Sequence, residues 1–241
     1  MASELAGRVI LVTRPREQAA RLTRLIEEVG GRAVLFPAIE IEDLSPPAAL
    51  RRLQDYDLAV FVSPTAVSKV FAHVHSWPTG LRAAAVGAGT RRELERHGLR
   101  GVISPNAGAD SEALLAAPSM PDVRGTRIVV FRGEDGRALL GETLRERGAQ
   151  VEYAACYRRV RPKSFNDPGS VDAITVSSAE GLANLFEMLG PARVCATPLF
   201  VPHVRIADEA RSRNAKQVLL AAGASDEQMR DRLVAYFARH E

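Results

Sequence analysis

Turns that carry hydroxyl, glycine and arginine side chains recur where predicted strands end and predicted helices begin. The six turns are Thr13-Arg14, Ser63-Pro64-Thr65, Gly87 to Thr90, Arg132 to Arg137, Ser177-Ser178 and His203 to Arg205. Helix N-termini present free N–H groups and a partial positive charge, so such turns suit carboxylates and phosphates. A single Ser or Thr in such a turn is ordinarily a helix cap. Six turns at the carboxyl ends of strands instead favour a cleft for an anionic small molecule.

Two predicted strands position these turns by crossing between two bodies of the molecule. The segments 33–41 and 151–160 contain β-branched and aromatic residues, with apolar side chains at alternate positions, a pattern typical of strands. Pro37 interrupts the first segment and the loop 162–169 follows the second, so neither leads straight into a helix. Because connections after strands are normally short in α/β chains, we interpret both segments as interdomain crossings.

Tyr157 lies on the second crossing strand, and Tyr153 has the same strand parity four residues earlier. A phenol at this position could donate a hydrogen bond into a cleft between the two bodies. Packing as an interdomain tyrosine is the equal alternative. Tyr153 is therefore expected to serve as an internal control for Tyr157.

A duplicated βα plan of about five strands per copy underlies the predicted elements. Its three central pairs are offset by about 115 residues, which is consistent with the length of one domain. Each segment of the second copy matches one of the first: 127–151 matches 9–34, 172–181 matches 57–67, 198–209 matches 82–93, and 216–229 matches 101–115.

The predicted fold class is α/β, with two similar parallel-sheet domains, flanking helices and a joining two-stranded β linker. The predicted layout is a discontinuous first domain of 1–36 plus 163–241, a second domain of 42–152, and linkers at 37–41 and 153–162.

A tandem division near residue 120 is the rival layout. Pro46-Pro47 and the segment 162–168 mark boundaries rich in proline, whereas no comparable break isolates the stretch near Arg124. The crossing layout is therefore favoured.

Composition excludes several classes of protein. The chain has 241 residues, of which 46% are hydrophobic and only 5% aromatic, and a net charge of +3. The charge is too small and dispersed to favour nucleic acid, and no apolar run reaches the ~18–20 residues of a membrane span. The N-terminus lacks the features of a signal peptide, so a cytoplasmic protein is expected. Two cysteines, Cys156 and Cys195, favour neither a disulfide framework nor a zinc site.

Cofactor motifs are also incomplete. The turn Gly87-Ala88-Gly89-Thr90 has Arg92 where a dinucleotide fingerprint requires its third glycine. The five histidines form no ligand spacing with the cysteines, and no covalent nucleophile is evident. No metal and no cofactor is therefore expected.

The order and spacing of the motifs resemble the uroporphyrinogen-III synthase family essentially from end to end. The matching segments are Leu11 to Pro15, Phe36-Pro37, Val60 to Val67, Ala85 to Thr90, Phe131 to Arg137, Gly148 to Val151 with Cys156 to Arg159, and Val176 to Leu182. The resemblance implies two α/β domains joined by a two-stranded ladder, in agreement with the predicted layout.

The resemblance also implies an activity. The family cyclises linear hydroxymethylbilane to uroporphyrinogen III, with loss of the hydroxyl as water and inversion of ring D through a spiro intermediate, in haem and tetrapyrrole biosynthesis. No cofactor is needed. Because the substrate carries eight carboxylates and its pyrroles are intrinsically reactive, the protein must mainly fix the reacting conformation. A monomer is expected, with the upstream bilane-forming enzyme as a candidate partner.

Residue roles follow from the same resemblance. Tyr157 matches the family's candidate donor to the departing hydroxyl, a catalytic role, and Thr90 and Ser63 match residues that line its site. The full set expected to bind substrate is Thr13, Arg14, Ser63, Thr65, Gly87, Thr90, Arg132, Gly133, Arg137, Ser177, Ser178 and Arg205.

One departure from the family pattern concerns the second copy of the glycine-and-threonine turn. The segment 201–205 stands there instead and leaves Arg205 as a carboxylate contact. The alternative function is a non-catalytic, two-lobed protein that binds an anion or a tetrapyrrole.

Overall fold

The computed structural model describes residues 4–108, 110–136 and 138–239. The chain divides into two compact units, a first unit of 1–40 with 160–241 and a second unit of 41–159. Within the described residues, no helix is long and apolar enough to cross a membrane.

Strands and helices alternate along most of the chain. The first half contains β1 (Val9–Val12), α1 (Arg16–Glu28), β2 (Arg32–Leu35), β3 (Glu40–Asp43), a 3₁₀ segment (Ala48–Asp55), β4 (Leu58–Phe61), α2 (Pro64–Phe71), β5 (Arg82–Ala85), α3 (Ala88–Arg96) and α4 (Ser111–Leu115). The second half contains β6 (Arg127–Gly133), α5 (Leu139–Glu146), β7 (Gln150–Val160), β8 (Ala173–Thr175), α6 (Ala179–Leu189), α7 (Pro191–Ala196), β9 (Leu199–Val201), α8 (Val204–Ser212), β10 (Val218–Leu220) and α9 (Asp226–Phe237).

In the part of the chain that the structure describes, each unit is built on a sheet of five strands. The order is β10-β9-β8-β1-β2 in the first unit and β3-β7-β6-β4-β5 in the second. All four pairs of the first sheet, and the pairs β7-β6, β6-β4 and β4-β5 of the second, are parallel. The α/β class of two parallel-sheet bodies predicted from the sequence is confirmed.

The central strands are short apolar runs because both of their faces are covered. All four residues of β4 are buried, as are three of the four in β1, the pattern expected of central parallel strands. Two apolar clusters cover the opposite faces of each sheet, with Phe61 and Phe131 on one face of the second sheet and Ile128 on the other.

Glycines end the helices α1 and α5, which precede β2 and β7. Gly30 after α1 and Gly148 after α5 have φ of 83° and 88°, a left-handed conformation that glycine adopts without steric cost. At the start of α1, Pro15 occupies the N-cap position without a side-chain bond. Thr13 does not cap this helix, because its hydroxyl is used elsewhere.

The strand β7 runs without interruption from Gln150 to Val160 and pairs with β6 as far as Tyr157. Residues 153–157, which the sequence analysis placed in a linker, are therefore paired within the sheet of the second unit. The neighbouring β3 adds to the free edge of β7.

A bulge in β7 changes which face Tyr157 occupies. Arg132 pairs with Ala155 but Gly133 pairs with Tyr157, so Cys156 is an extra residue. Tyr157 consequently packs with Ala154 and Cys156 on one face, whereas Tyr153 packs on the other. The assumption that Tyr153 and Tyr157 share a face is wrong, because one inserted residue reverses the alternation.

Candidate functional site

In the sheet of the second unit, the direction of the chain connections reverses between β4 and β6. The connection from β4 leads outward to β5, and the connection from β6 leads outward to β7 on the opposite side. Such a reversal of strand order, at the carboxyl ends of the strands, is where open α/β sheets bind ligands. Ser63 follows β4, and Arg132 and Gly133 end β6, so predicted site residues flank this position.

Ser63 and Tyr157 are brought together at this edge. The Ser63 Oγ and the Tyr157 Oη lie 2.9 Å apart, and either hydroxyl can donate. Ser63 also caps α2, since its Oγ accepts a hydrogen bond of 3.0 Å from the Ala66 N–H. The Tyr157 side chain is 7% exposed, so most of its ring is packed in the core.

Gly133 provides the space that the Tyr157 ring occupies. A Cβ atom at residue 133 would lie 3.0 Å from the ring and 3.4 Å from the phenol oxygen. Any larger residue there would press on the phenol. The absence of a side chain at Gly133 therefore allows the Tyr157 ring to pack in this position.

Arg132 is a largely buried cation, with 8% of its surface exposed. Its Cζ lies 4.7 Å from the centre of the Tyr153 ring, and its Nε donates a 3.1 Å hydrogen bond to the Gly133 carbonyl. The guanidinium is thus fixed by cation–π stacking and by the backbone. Arg137, also predicted to bind substrate, lies outside the described residues.

The remaining predicted residues of the second unit lie on two helix starts. Gly87 is the N-cap residue of α3, and Thr90 lies within that helix, with 3% of its surface exposed. Thr65 lies in the first turn of α2. Because Thr90 is buried, its hydroxyl faces the protein more than solvent.

The first unit has an equivalent reversal of strand order, between β1 and β8. Thr13 follows β1, and its buried hydroxyl donates a 2.7 Å hydrogen bond to the Thr175 carbonyl at the end of β8. Ser177 follows β8, and Ser178 caps α6 by accepting a 3.0 Å hydrogen bond from the Gly181 N–H.

The two predicted arginines of the first unit have different surroundings. Arg14 forms an ion pair with Asp226, the first residue of α9, with 15% and 11% of the two side chains exposed. Arg205 is exposed in the first turn of α8. Asp226 was missed by the sequence analysis, because no local pattern relates positions 212 residues apart.

Two buried groups of the second unit have altered acidity. Burial raises the pKa of the Cys156 thiol to about 12, against a smaller lowering by the Arg132 backbone. Burial also raises the pKa of Tyr56 to about 12, with help from its hydrogen bond to Glu152. Both groups are therefore neutral at physiological pH. Across the described residues, His, Cys, Asp and Glu form no cluster of three that could hold a metal ion.

Comparison with known proteins decides the family. The family model described as "Uroporphyrinogen-III synthase HemD" matches residues 20–231. The chain belongs to the uroporphyrinogen-III synthase family. It is 36% identical over 160 residues to the uroporphyrinogen-III synthase of Salmonella typhimurium, a match that covers 62% of this chain and 64% of that protein.

Solved structures from the uroporphyrinogen-III synthase family share the fold. A mutant uroporphyrinogen III synthase of Thermus thermophilus gives a TM-score of 0.63 at 21% identity, covering 98% of this chain and all of that one. The uroporphyrinogen-III synthetase of Helicobacter pylori gives 0.66 at 12% identity, covering 95% and 99%. As a member of the uroporphyrinogen-III synthase family, the chain is an enzyme of tetrapyrrole biosynthesis, of the cyclising lyase type. A non-catalytic anion-binding role is not favoured.

Proposed function

We propose that the substrate of this chain is hydroxymethylbilane, and that Tyr157 assists departure of its hydroxyl during cyclisation to uroporphyrinogen III. The observation that carries this proposal is the contact between Tyr157 and Ser63 at the reversal of strand order in the second unit. One linear tetrapyrrole gives one macrocycle with ring D inverted and one molecule of water.

The hydrogen bonds of Ser63 support a donor role for Tyr157. The Ser63 Oγ already accepts a hydrogen bond from the Ala66 N–H, and its own O–H can donate to the Tyr157 oxygen. The phenol proton is then available for the hydroxyl that leaves the substrate. As the C–O bond breaks, the bonding electron pair stays on the oxygen and the phenol proton completes the water molecule that departs. The proton lost from the substrate's pyrrole nitrogen then restores the phenol.

The donors proposed to bind substrate carboxylates lie in turns at the carboxyl edge of each sheet. Exposed or half-buried donors there include Thr65, Ser177 and Ser178, together with Arg205. Arg132 supplies a cation in the second unit. Spreading the contacts over many donors suits a substrate with eight carboxylates and would fix its conformation for attack by the substituted carbon of ring D.

A turnover assay with freshly prepared hydroxymethylbilane tests the proposal. We expect the inverted isomer in the presence of the protein and only the uninverted isomer in its absence, since the substrate also closes unaided. Formation of the uninverted isomer alone with the folded protein would contradict the proposed substrate and reaction.

We further propose that the enzyme acts as a monomer in the cytoplasm and receives its substrate from the upstream bilane-forming enzyme. Light scattering of the purified chain should give a mass near 26.1 kDa. A dimer mass at micromolar concentration would contradict the monomer.

A further inference from the structure

A cavity of about 210 Å³ lies beside Arg132 in the second unit. Its apolar wall includes Val62, which follows β4, together with Val130 of β6 and Leu140 of α5. Its polar groups include Arg132 and Asp110, and the ring of Tyr153 forms a further wall. Among the residues that the structure describes, the cavity lining therefore combines an apolar surface with a cationic and an anionic side chain.

The cation in this cavity is held in place from several sides. The Arg132 guanidinium stacks on Tyr153, whose hydroxyl donates a 2.7 Å hydrogen bond to the Ala138 carbonyl. Arg145 stacks on the same ring, with its Cζ 5.1 Å from the ring centre. Gly136 covers the guanidinium closely, since a Cβ there would lie 2.6 Å from the Arg132 Nε. These contacts fix the position of the positive charge before any ligand arrives.

The anion in the cavity is an exposed carboxylate. Asp110 caps α4, and its Oδ1 accepts a 2.8 Å hydrogen bond from the Ala113 N–H. A simple anion would be attracted by Arg132 and repelled by Asp110. A ligand with both an N–H donor and a carboxylate would satisfy both groups.

We propose that this cavity binds one pyrrole ring of the substrate, with a ring carboxylate on Arg132 and the pyrrole N–H on Asp110. The flat ring lies against the valine and leucine side chains and the Tyr153 ring. This inference rests on the proposed function, because it assigns part of the proposed substrate. Since typical ligand sites measure about 300–1,000 Å³, the cavity suits a single ring rather than a whole tetrapyrrole.

Binding of a small probe to the full chain tests the cavity without turnover. The probe is a monopyrrole bearing one acetate and one propionate arm, and binding is followed by NMR of the valine and leucine methyl groups. We expect saturable shifts at Val62, Val130 and Leu140. The dimethyl ester of the probe should bind about 10- to 100-fold more weakly, as for loss of a charged hydrogen bond.

Two variants and a matched control assign the contacts. Arg132→Gln should weaken the acidic probe about 10- to 100-fold and leave the ester nearly unaffected. Asp110→Asn keeps a good helix cap and should reduce the preference for the probe over its N-methyl analogue. Arg127→Gln, at the exposed start of the same strand, should leave probe binding unchanged.

The outcomes separate this inference from the proposed function. If the chain makes the inverted isomer but the probe shifts none of the cavity methyls, the pyrrole site is wrong and the proposed function stands. If the probe binds as expected but no inverted isomer forms, the cavity binds a carboxylated pyrrole and the proposed reaction is wrong. Equal binding of the acid and the ester by the unmodified chain would also overturn the assignment to Arg132.

Discussion

The hydroxyls of Tyr157 and Ser63 share a single hydrogen bond, and its direction determines what each can do next. Because the Ser63 Oγ accepts from the Ala66 N–H at 3.0 Å, the serine is anchored to the first turn of α2. A hydrogen bond donated by this anchored serine to the Tyr157 oxygen orients the phenol O–H away from Ser63. The pair therefore acts as one donor group whose position depends on a helix cap.

Replacing Tyr157 by phenylalanine removes the proposed donor and keeps the packed ring. We expect Tyr157→Phe to lower kcat about 10- to 1000-fold, the range expected for a positioned acid and its neighbours. KM should change little, because the donor acts mainly as the C–O bond breaks.

The matched control is Tyr56→Phe. Tyr56 belongs to the same unit and loses an equivalent phenol hydrogen bond, to Glu152 at 2.6 Å, but it precedes β4 rather than following it. Its kcat should equal that of the unmodified chain. Full kcat and the inverted isomer from Tyr157→Phe would eliminate the catalytic role.

Ser63→Ala separates capping from orientation of the phenol. Loss of the cap should lower the free energy of unfolding by about 1 kcal/mol, and kcat should fall about 5- to 10-fold, as expected for loss of a neutral hydrogen bond. Ser225→Ala, which removes the cap of α9, should cost similar stability and leave kcat unchanged. Chemical denaturation and steady-state kinetics on both variants test this, and equal kcat values would show that Ser63 is only a cap.

Arg14 and Arg132 should respond differently to truncation, although the sequence presents both as strand-end arginines. Arg14→Ala leaves the Asp226 carboxylate partly buried and unpaired, so it should lower the free energy of unfolding by about 1–3 kcal/mol. Arg132→Ala should instead raise KM. The rise should correspond to a loss of roughly 1.5–3 kcal/mol of binding free energy if the charge is fully desolvated on binding. Urea titrations and KM measurements for both variants compare the two effects. Unchanged stability of Arg14→Ala would contradict the structural role of its ion pair.

At the scale of elements, the bulge in β7 sets the surroundings of Tyr157. The sequence predicts the strand from its β-branched and aromatic residues, but alternation alone assigns Tyr153 and Tyr157 to one face. The bulge is a property of pairing between β7 and β6, where Cys156 is the extra residue. No single-strand pattern encodes that mismatch. The strand could therefore be predicted, and the face of its key side chain could not.

Burial of Cys156 at this bulge predicts a pH dependence of stability. The folded thiol has a pKa raised to about 12, whereas the unfolded thiol ionises near pH ~8.5. Above that pH the unfolded chain loses a proton that the folded chain retains, so the free energy of unfolding falls between about pH 9 and 12. The pKa of Tyr56 is also raised to about 12, so Tyr56 further lowers the free energy of unfolding at higher pH.

Urea unfolding at pH 8 and pH 10 tests the contribution of Cys156. We expect the fall in unfolding free energy between these values to be smaller in Cys156→Ala than in the unmodified chain. Cys195→Ala is the control, because Cys195 is only half-buried. Identical falls in all three proteins would show that the thiol does not titrate on unfolding.

At the scale of the whole molecule, the duplication predicted from sequence recurs in equivalent hydrogen bonds. Asp172 accepts a 2.7 Å hydrogen bond from the Val9 N–H in the first unit, and Asp57 accepts one of the same length from the Arg127 N–H in the second. The caps Ser178 and Ser63 are equivalent in the same way. The repeat could be predicted because βα units carry local strand and helix-start signals. The register between distant strands, which aligns these pairs, could not.

The division into units leads to a final proposal, that residues 41–159 fold as an independent domain. The sequence places the end of this domain at residue 152, whereas β7 remains paired with β6 as far as Tyr157. Ala154, Cys156 and Tyr157 belong to the apolar cluster on one face of the sheet. Truncation at 152 would remove these side chains from the core and expose the edge of β6.

Two fragments distinguish the boundaries. The fragment 41–159 should unfold cooperatively in urea, whereas the fragment 42–152 should be less stable by at least ~3 kcal/mol, because burying one large apolar side chain contributes about 1.5–3 kcal/mol and the paired half of β7 is lost as well. Circular dichroism and urea titration of both fragments measure the difference. Equal midpoints would mean that residues 153–159 add nothing to the domain. An unfolded 41–159 fragment would mean that the second unit depends on the first, since its own sheet and both of its apolar clusters would then be insufficient.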